Sequence, residues 1–400
     1  MNRPSRPHFL FFKQTASFRS YFAELCLDVA GEEYSAVVFS DIECGAVGTV
    51  CFVSGPKYRR DSTSQRLATW TRYLLAAMRL AFSVRGEPVL FIVAQPPFLP
   101  AVGYLQKKLL GRKYVVWIDD VYPDVIERRH VSGRKSLLMR GWRRFNRAVL
   151  GEAEHVFTLG PYMKQVVRQY VPAEVQITVV PTWVDTDLIC PVPKGGNPFA
   201  VKYGQCEKIT VMYSGNLGLT HDVGSIIDVA RRLRSRADIH FMIIGAGPQW
   251  KSLKESICEE SDKNITLLPL QPYEILPYSL ATADLAIVSQ ESGMEGISMP
   301  SKTYYSLAAG SAILAICPPQ CDLGYVVASN DCGVIVEPGA CETLAAQIER
   351  LASTPDELDR LRKNARRAAE ELYSRKVNSQ RVRDVMEPLL PKRGALEDRN

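Results

Sequence analysis

Short runs rich in Val, Ile, Phe and Tyr recur along this chain, most of them separated by stretches with helical periodicity. Residues 8–12, 35–40, 50–54, 89–94, 114–118, 156–159 and 176–180 make one series. Residues 208–213, 240–244, 265–268, 285–288, 312–317 and 333–336 make a second, with helical segments at 225–236, 248–258, 273–282, 301–309, 341–352 and 355–372. Apolar runs of this length read as buried strands, and strands alternating with helices predict α/β domains with mainly parallel sheets. Between the two series, Pro181 and the stretch Cys190-Pro-Val-Pro-Lys-Gly-Gly-Asn-Pro198 form a cluster of breakers that suits a linker. Single cores rarely grow beyond about 250–300 residues, so 400 residues imply two domains. The expected bounds are 1–190 and 191–374, followed by a helix and polar tail over 375–400.

Composition narrows the class further. With 46% hydrophobic and 23% charged residues this is an ordinary globular chain, and a net charge of +6 does not indicate a dedicated nucleic-acid binder. None of the ten cysteines forms a C-x-x-C pair, and Cys317 and Cys321 have no second pair or histidine nearby, so no zinc site is expected. The apolar stretch Val89–Leu105 is broken by Pro96, Pro97 and Pro100, unlike a spanning helix of about 20 residues. Met1–Phe12 is too short and too basic for a signal peptide, so the expected compartment is the reducing cytosol.

One segment carries most of the chemistry: Glu295-Gly-Ile-Ser-Met-Pro-Ser-Lys-Thr-Tyr-Tyr-Ser-Leu-Ala-Ala-Gly310. It lies between two apolar runs, Ala283–Val288 and Ala312–Cys317. Pro300 suits a first helical turn and Gly310 the left-handed residue after a helix end. A strand–loop–helix–strand unit of this kind directs backbone N–H groups one way, which favours phosphate or pyrophosphate.

The segment resembles the donor-site signature of GT-B glycosyltransferases of family-four type, in the subgroup with Pro-Ser-Lys-x-Tyr before Ala-Ala-Gly, which assembles bacterial surface polysaccharides. The likeness runs from about Ala94 to Leu372 and is clearest from Thr210 to Gly339. It implies two Rossmann-like, doubly wound domains facing a central cleft, with a last helix within 375–390 crossing back to the first domain. It also implies a nucleotide-diphosphate sugar as donor, a glycan or lipid-linked hydroxyl as acceptor, retention of configuration, and no metal or cofactor.

Residue by residue, the resemblance makes Glu295, ahead of the proline-led helix, a ligand of the donor sugar; the alternative is a charge complementing the helix dipole. The second glutamate of the family's Glu-x7-Glu motif, which holds ribose, is replaced by Tyr305, five residues before Gly310. Backbone N–H groups at Gly296, Ile297 and Ser298, and in the glycine-rich turn Gly215-Asn216-Leu217-Gly218, would hold the pyrophosphate. Many relatives clamp it with Arg and Lys where this chain has Asn216 and His221, neither a dependable cation at neutral pH. Lys302, in a first helical turn whose dipole disfavours a lysine without an anion, is therefore the candidate for the developing charge; otherwise it is a solvated surface residue. Gly245 and Gly247 resemble a Gly-x-Gly-Pro turn lining the nucleotide, and Leu270–Pro277 the loop near the base.

In the first domain, Val116-Trp-Ile-Asp-Asp-Val-Tyr-Pro-Asp124 resembles an Arg-Asp-Leu-Trp-Pro-Glu element. Asp119 and Asp120 are paired carboxylates, of which Asp120 is the candidate to orient or deprotonate the acceptor hydroxyl, while Asp124 suits a helix cap. Lys57, Arg59, Arg60, Arg66 and Arg72 fall where the family's acceptor-facing segments vary most. Within 136–150, Leu138, Trp142, Phe145 and Val149 share one helical face, and Arg140, Arg143, Arg144 and Arg147 the other. That pattern fits either a core-facing helix with a solvated arginine face or docking on anionic lipid at the cytoplasmic face of a membrane. Two rival functions stand beside the transferase: a nucleotide-sugar 2-epimerase of the same fold, and a non-catalytic sugar-nucleotide-binding scaffold.

Overall fold

The computed structural model describes residues 4, 6–15, 21–59, 62–129, 137–218, 223–258 and 260–391. Arg60, Ser136, His221 and most of the polar tail lie outside them. The chain divides into two compact units, the first comprising Met1–Pro181, Gly296–Ser298 and Arg375–Asn400, the second Thr182–Glu295 and Met299–Ser374.

The first unit opens with β1 (Phe9–Phe12), α1 (Tyr21–Ala30), β2 (Ala36–Ser40), β3 (Gly45–Val47) and β4 (Val50–Ser54). It continues with α2 (Thr63–Ser83), β5 (Val89–Val93), α3 (Ala101–Leu110), β6 (Tyr114–Ile118), α4 (Asp124–Arg129) and α5 (Leu137–Gly151). Then come β7 (His155–Thr158), α6 (Pro161–Arg168) and β8 (Gln176–Val179). The strands form one sheet in the order β3-β4-β2-β1-β5-β6-β7-β8, parallel except for β3. Its centre is held by rings in contact from strand to strand: Phe11 with Phe91 at 5.6 Å, Phe91 with Trp117 at 6.0 Å and Trp117 with Phe157 at 5.8 Å. All four side chains are fully buried. Strands covered on both faces give the unbroken apolar runs seen in the sequence. Only β3 escaped that signal, because Gly-Ala-Val at a half-exposed edge has no pattern to show.

The second unit contains α7 (Pro198–Lys202), β9 (Ile209–Asn216), α8 (Val223–Arg232), β10 (Ile239–Ala246), α9 (Trp250–Ser256) and β11 (Ile265–Pro269). After these come α10 (Leu276–Ala281), β12 (Leu285–Ser289), α11 (Lys302–Ala308), β13 (Ala312–Ile316) and α12 (Asp322–Asn330). It closes with β14 (Gly333–Val336), α13 (Cys341–Ala352) and α14 (Pro355–Glu371). Its sheet is wholly parallel, in the order β11-β10-β9-β12-β13-β14. The chain winds outward from β9 to β11, then returns to lay β12 on the other side of β9. That reversal is a topological switch point, and open α/β sheets bind ligands beyond the carboxyl ends of the strands there.

The break between units falls after Pro181, nine positions short of the expected 190. Polar ties that span long sequence distances set it. The Arg366 guanidinium donates to the carbonyls of Thr186 at 3.0 Å and Ile189 at 2.9 Å. Asp284, 5% exposed, accepts from Lys194, from the Thr210 N–H at 2.8 Å, and pairs with Arg362 at 3.1 Å. The last helix, α15 (Arg375–Met386), belongs to the first unit, where Arg375 binds Asp28 through two bonds of 2.8 and 2.7 Å and Arg383 binds Glu33 at 2.7 Å.

Candidate functional site

At the switch point the carboxyl end of β9 meets the start of α11. Lys302 is the first residue of that helix, and its ammonium lies 3.7 Å from the centroid of the Tyr213 ring. The Nζ atom is buried and has no hydrogen-bond partner among the described residues. Burial alone pulls its pKa down to about 7. A cation over an aromatic face recovers about 2 kcal/mol or more when desolvated, still less than a lost hydration shell requires. Lys302 is therefore not the solvated surface lysine that the sequence also allowed. Beside it is a small cavity lined by Met212, Ser214, Ala286 and Ser306, with room for about one water. A second buried polar atom without a partner among the described residues, Ser289 Oγ, marks the carboxyl end of β12.

The turn after β9 is narrower than the sequence suggested. The strand continues to Asn216, and the Leu217 N–H donates to the Ala246 carbonyl at 2.9 Å. The N–H groups of 215–218 are thus not all available to a pyrophosphate, because part of the segment is spent on the sheet ladder. Glycine is needed here for close packing. At Gly215 the φ of +139° is what favours glycine, a Cβ there meeting Lys302 only at ordinary contact distance, whereas one on Gly245 would collide with the Gly215 carbonyl oxygen. A Cβ on Gly247, at φ +154°, would come within 2.5 Å of the Leu217 carbonyl oxygen. Gln249 fastens the same turn from the other side by donating to the Gly218 carbonyl. Gly245 and Gly247 thereby shape the β9 turn, which is a physical reason for the Gly-x-Gly spacing. The Asn216 side chain is exposed, and the residue's backbone carbonyl accepts the Tyr213 hydroxyl at 2.9 Å. His221 lies outside the described residues.

Glu295 is half-buried and accepts the Gly293 N–H at 2.8 Å. Gly296, Ile297 and Ser298 group with the first unit, where the Ile297 carbonyl accepts the Val121 N–H at 3.0 Å. Counted back from Tyr305, a Glu-x7-Glu spacing falls on Ile297, which is fully buried, so Glu295 is displaced from the strict motif position. Tyr305 is half-buried, one helical turn on from Lys302. Its neighbour Tyr304 is a core residue, 1% exposed and 5.1 Å from the Tyr373 ring.

The two adjacent aspartates of the first unit have different surroundings. Asp119 pairs with Lys13 at 3.0 Å and accepts from the Tyr21 hydroxyl at 3.0 Å and from Trp117 Nε1 at 2.8 Å. Burial and the Asp119 carboxylate push the Tyr21 hydroxyl well above its usual pKa, so it stays a donor. Asp119 is thereby committed to the fold. Asp120 instead lines a small cavity with Tyr122, Asn146 and Tyr170. Asp124, at the start of α4, accepts from the Tyr170 hydroxyl at 2.5 Å.

On α5 the arginine face is only partly free. Arg143 pairs with Glu127, whereas Arg140, Arg144 and Arg147 are exposed. Trp142 stacks on Phe98 at 4.6 Å and Phe145 meets the same ring at 5.3 Å. Leu138, expected on the inward face, is 71% exposed. Among the described residues no helix is long and apolar enough to cross a membrane.

Residues 23–188 match the family described as Glycosyltransferase Family 4, and residues 202–368 match the family described as Glycosyl transferases group 1. The chain belongs to the GT-B glycosyltransferases of family-four type. This glycosyltransferase is 23% identical over 345 residues to a probable glycosyltransferase, WbjE, of Pseudomonas aeruginosa, covering 86% of each chain. It is 26% identical over 334 residues to a putative colanic acid biosynthesis glycosyl transferase, WcaI, of Escherichia coli K12, covering 81% of each. Its fold matches sucrose-phosphate synthase of Thermosynechococcus elongatus with a TM-score of 0.76 at 14% identity, over 96% of this chain and 99% of that one. Anabaena Alr3699/HepE, solved in complex with UDP-glucose, matches with a TM-score of 0.69 at 15% identity, over 95% and 99%.

Proposed function

We propose that this glycosyltransferase moves a sugar from a nucleotide-diphosphate donor to a hydroxyl of a glycan or lipid-linked acceptor in surface-polysaccharide assembly, with retention of configuration. One observation carries the donor class: a buried ammonium without a hydrogen-bond partner among the described residues, at the switch point of the second sheet. An unpaired buried cation is unfavourable unless an anion completes it, and the leaving diphosphate supplies that anion as the glycosidic bond breaks. The UDP-glucose complex of the Anabaena protein supports the same donor class, and the name of the Escherichia coli relative supports polysaccharide assembly.

In this mechanism Lys302 carries the charge that Arg and Lys at the positions of Asn216 and His221 share elsewhere in the family. Glu295 holds the sugar, Tyr305 contacts ribose, the backbone at 296–298 meets phosphate, and Asp120 orients the acceptor hydroxyl. The chemistry uses no metal, and the enzyme works on the cytoplasmic side of a membrane, with α5 toward anionic lipid. The test is a panel of nucleotide sugars with and without acceptor. Transfer with release of the nucleoside diphosphate, insensitive to chelators, is the expected result. Epimerisation without acceptor, binding without turnover, or metal-rescuable loss after chelation would each overturn it.

A further inference from the structure

Cys317 and Cys321, a pair without the further ligands that zinc takes, meet at the start of α12. Cys317 follows directly on β13, and its N–H donates to the Val336 carbonyl at 3.0 Å. Cys321 is the N-cap of α12, where its Sγ accepts the Gly324 N–H at 3.3 Å. The chain between them curls so tightly that a Cβ on Gly324 would come within 2.6 Å of the Pro319 carbonyl oxygen. The curl lets the Cys317 thiol donate to the Cys321 sulfur, within reach of the same Gly324 N–H.

This arrangement makes the two sulfurs unequal. The Cys317 S–H, with the N–H groups of Gly324 and Leu323, holds the Cys321 thiol below its usual pKa. A helix N-terminus favours a thiolate in the same way. That hydrogen bond, and then burial, pushes Cys317 up, so it keeps its proton. Ser, Thr, Asp and Asn are the preferred helix caps; what a cysteine adds here is a nucleophile with a second thiol against it. Both sulfurs are buried, yet their cover is thin: Pro318 is half-buried, and Pro319 and Gln320 are exposed. Local opening of so short a loop admits a small oxidant and excludes a bulky disulfide.

We propose that Cys317 and Cys321 form a thiol switch, closed to a disulfide by a hydroperoxide and reopened by a dithiol. The Cys321 thiolate attacks the O–O bond of hydrogen peroxide and becomes a sulfenic acid. The departing hydroxide becomes water with the proton that Cys321 gave up. Cys317 then attacks the Cys321 sulfur, the S–O bond breaks, and the Cys317 proton leaves with that oxygen as a second water. Two thiols are oxidised and one peroxide is reduced.

Closing draws the sulfurs from hydrogen-bond contact to about 2.05 Å and takes the Cys321 cap away from Gly324. The strain reaches the neighbouring strand end. There the Gln290 N–H donates to the Ile316 carbonyl at 2.9 Å, and Gln290 Nε2 to the Met294 carbonyl at 3.0 Å. The disulfide thus loosens the 290–295 loop, which ends on Glu295. The sulfur chemistry is independent of the proposed function, whereas its effect on turnover rests on Glu295 holding the donor sugar.

The experiment treats the reduced full chain with hydrogen peroxide, blocks free thiols with N-ethylmaleimide in denaturant, and reads unreduced peptides by mass spectrometry. Exposed Cys258 reports that the oxidant acted. A peptide bridged between Cys317 and Cys321, lighter by two hydrogens and reopened by dithiothreitol, is expected. In Cys321→Ser, which keeps a cap, Cys317 should carry maleimide; in Cys317→Ala the stranded Cys321 sulfenic acid should trap dimedone. Unchanged melting temperatures show that both variants fold. Hydrogen exchange across 290–295 should rise severalfold in the oxidised protein and return on reduction. Maleimide on both cysteines after Cys258 has reacted, a bridge to any other cysteine, or exchange unmoved by the bridge would overturn the proposal. Turnover of an accepted nucleotide sugar should fall more than tenfold on oxidation and recover with dithiothreitol. A bridge that loosens the loop without changing turnover would instead remove Glu295 from the donor site.

Discussion

Lys302 is where the stability of the empty protein and the chemistry of the filled site oppose each other. Its pKa is about 7 in the fold and near 10.5 in an unfolded chain. Between those values the unfolded chain holds a proton that the folded one lacks, so stability rises with pH across that window. The penalty is fully present below about pH 7 and absent above about 10.5. Lys302→Met, which keeps the volume over Tyr213, should therefore raise the melting temperature of the ligand-free protein most near neutrality, with the gain fading toward pH 10.5. A gain that does not change with pH would contradict this origin. Binding should show the same proton. At about pH 8, one unit above that pKa, nucleoside diphosphate should draw nearly one proton onto the enzyme. Calorimetry in buffers of different ionisation enthalpy measures the uptake, which Lys302→Met should abolish. The sequence pointed to Lys302 through its misfit with a helix dipole. Its seat on Tyr213 was not legible, because the two residues meet only once β12 is laid beside β9. Nor did the sequence separate Asp119 from Asp120; the Lys13, Tyr21 and Trp117 groups that claim Asp119 come from separate parts of the chain.

Among the elements, the interlocked turns after β9 and β10 hold the site in shape. Gly245→Ala forces a methyl group onto the Gly215 carbonyl, where neither backbone can retreat without breaking the β9–β10 ladder. Overpacking of this kind typically destabilises by about 1–3 kcal/mol, and the displaced Gly215 turn should also weaken diphosphate binding. Gly195→Ala, with nothing within 4 Å of the new atom, should leave both unchanged. Urea titrations with and without nucleoside diphosphate measure the two effects, and equal behaviour of the two variants would remove the interlock from the explanation. The strands themselves were legible because parallel strands buried on both faces must be apolar throughout. The end of β9 was not: Gly-Asn-Leu-Gly reads as a loop, yet Leu217 still bonds to the β10 strand end.

At the scale of the whole molecule, two sheets of one architecture have different charge, the first unit carrying the carboxylate-free helices α2, α3 and α5. The two-domain plan and the family were legible from alternating elements and one signature segment. The boundary was not, since proline and glycine mark where a chain can turn, while Arg366 and Asp284 decide which side it packs on. α15 closes the first unit through Arg375 and Asp28, so Arg375→Ala should destabilise that unit and leave the second intact. Loss of protection across α1 in hydrogen exchange, with none in β9–β14, is the expected pattern. The most direct measurement is the turnover of Lys302→Met with the accepted nucleotide sugar. Removing one preorganised donor to a developing anion costs about 10²–10³ in kcat, and a fall of that size in a folded, thermally stabilised protein is expected. Near-normal turnover in that variant would show that the leaving diphosphate is met by another group.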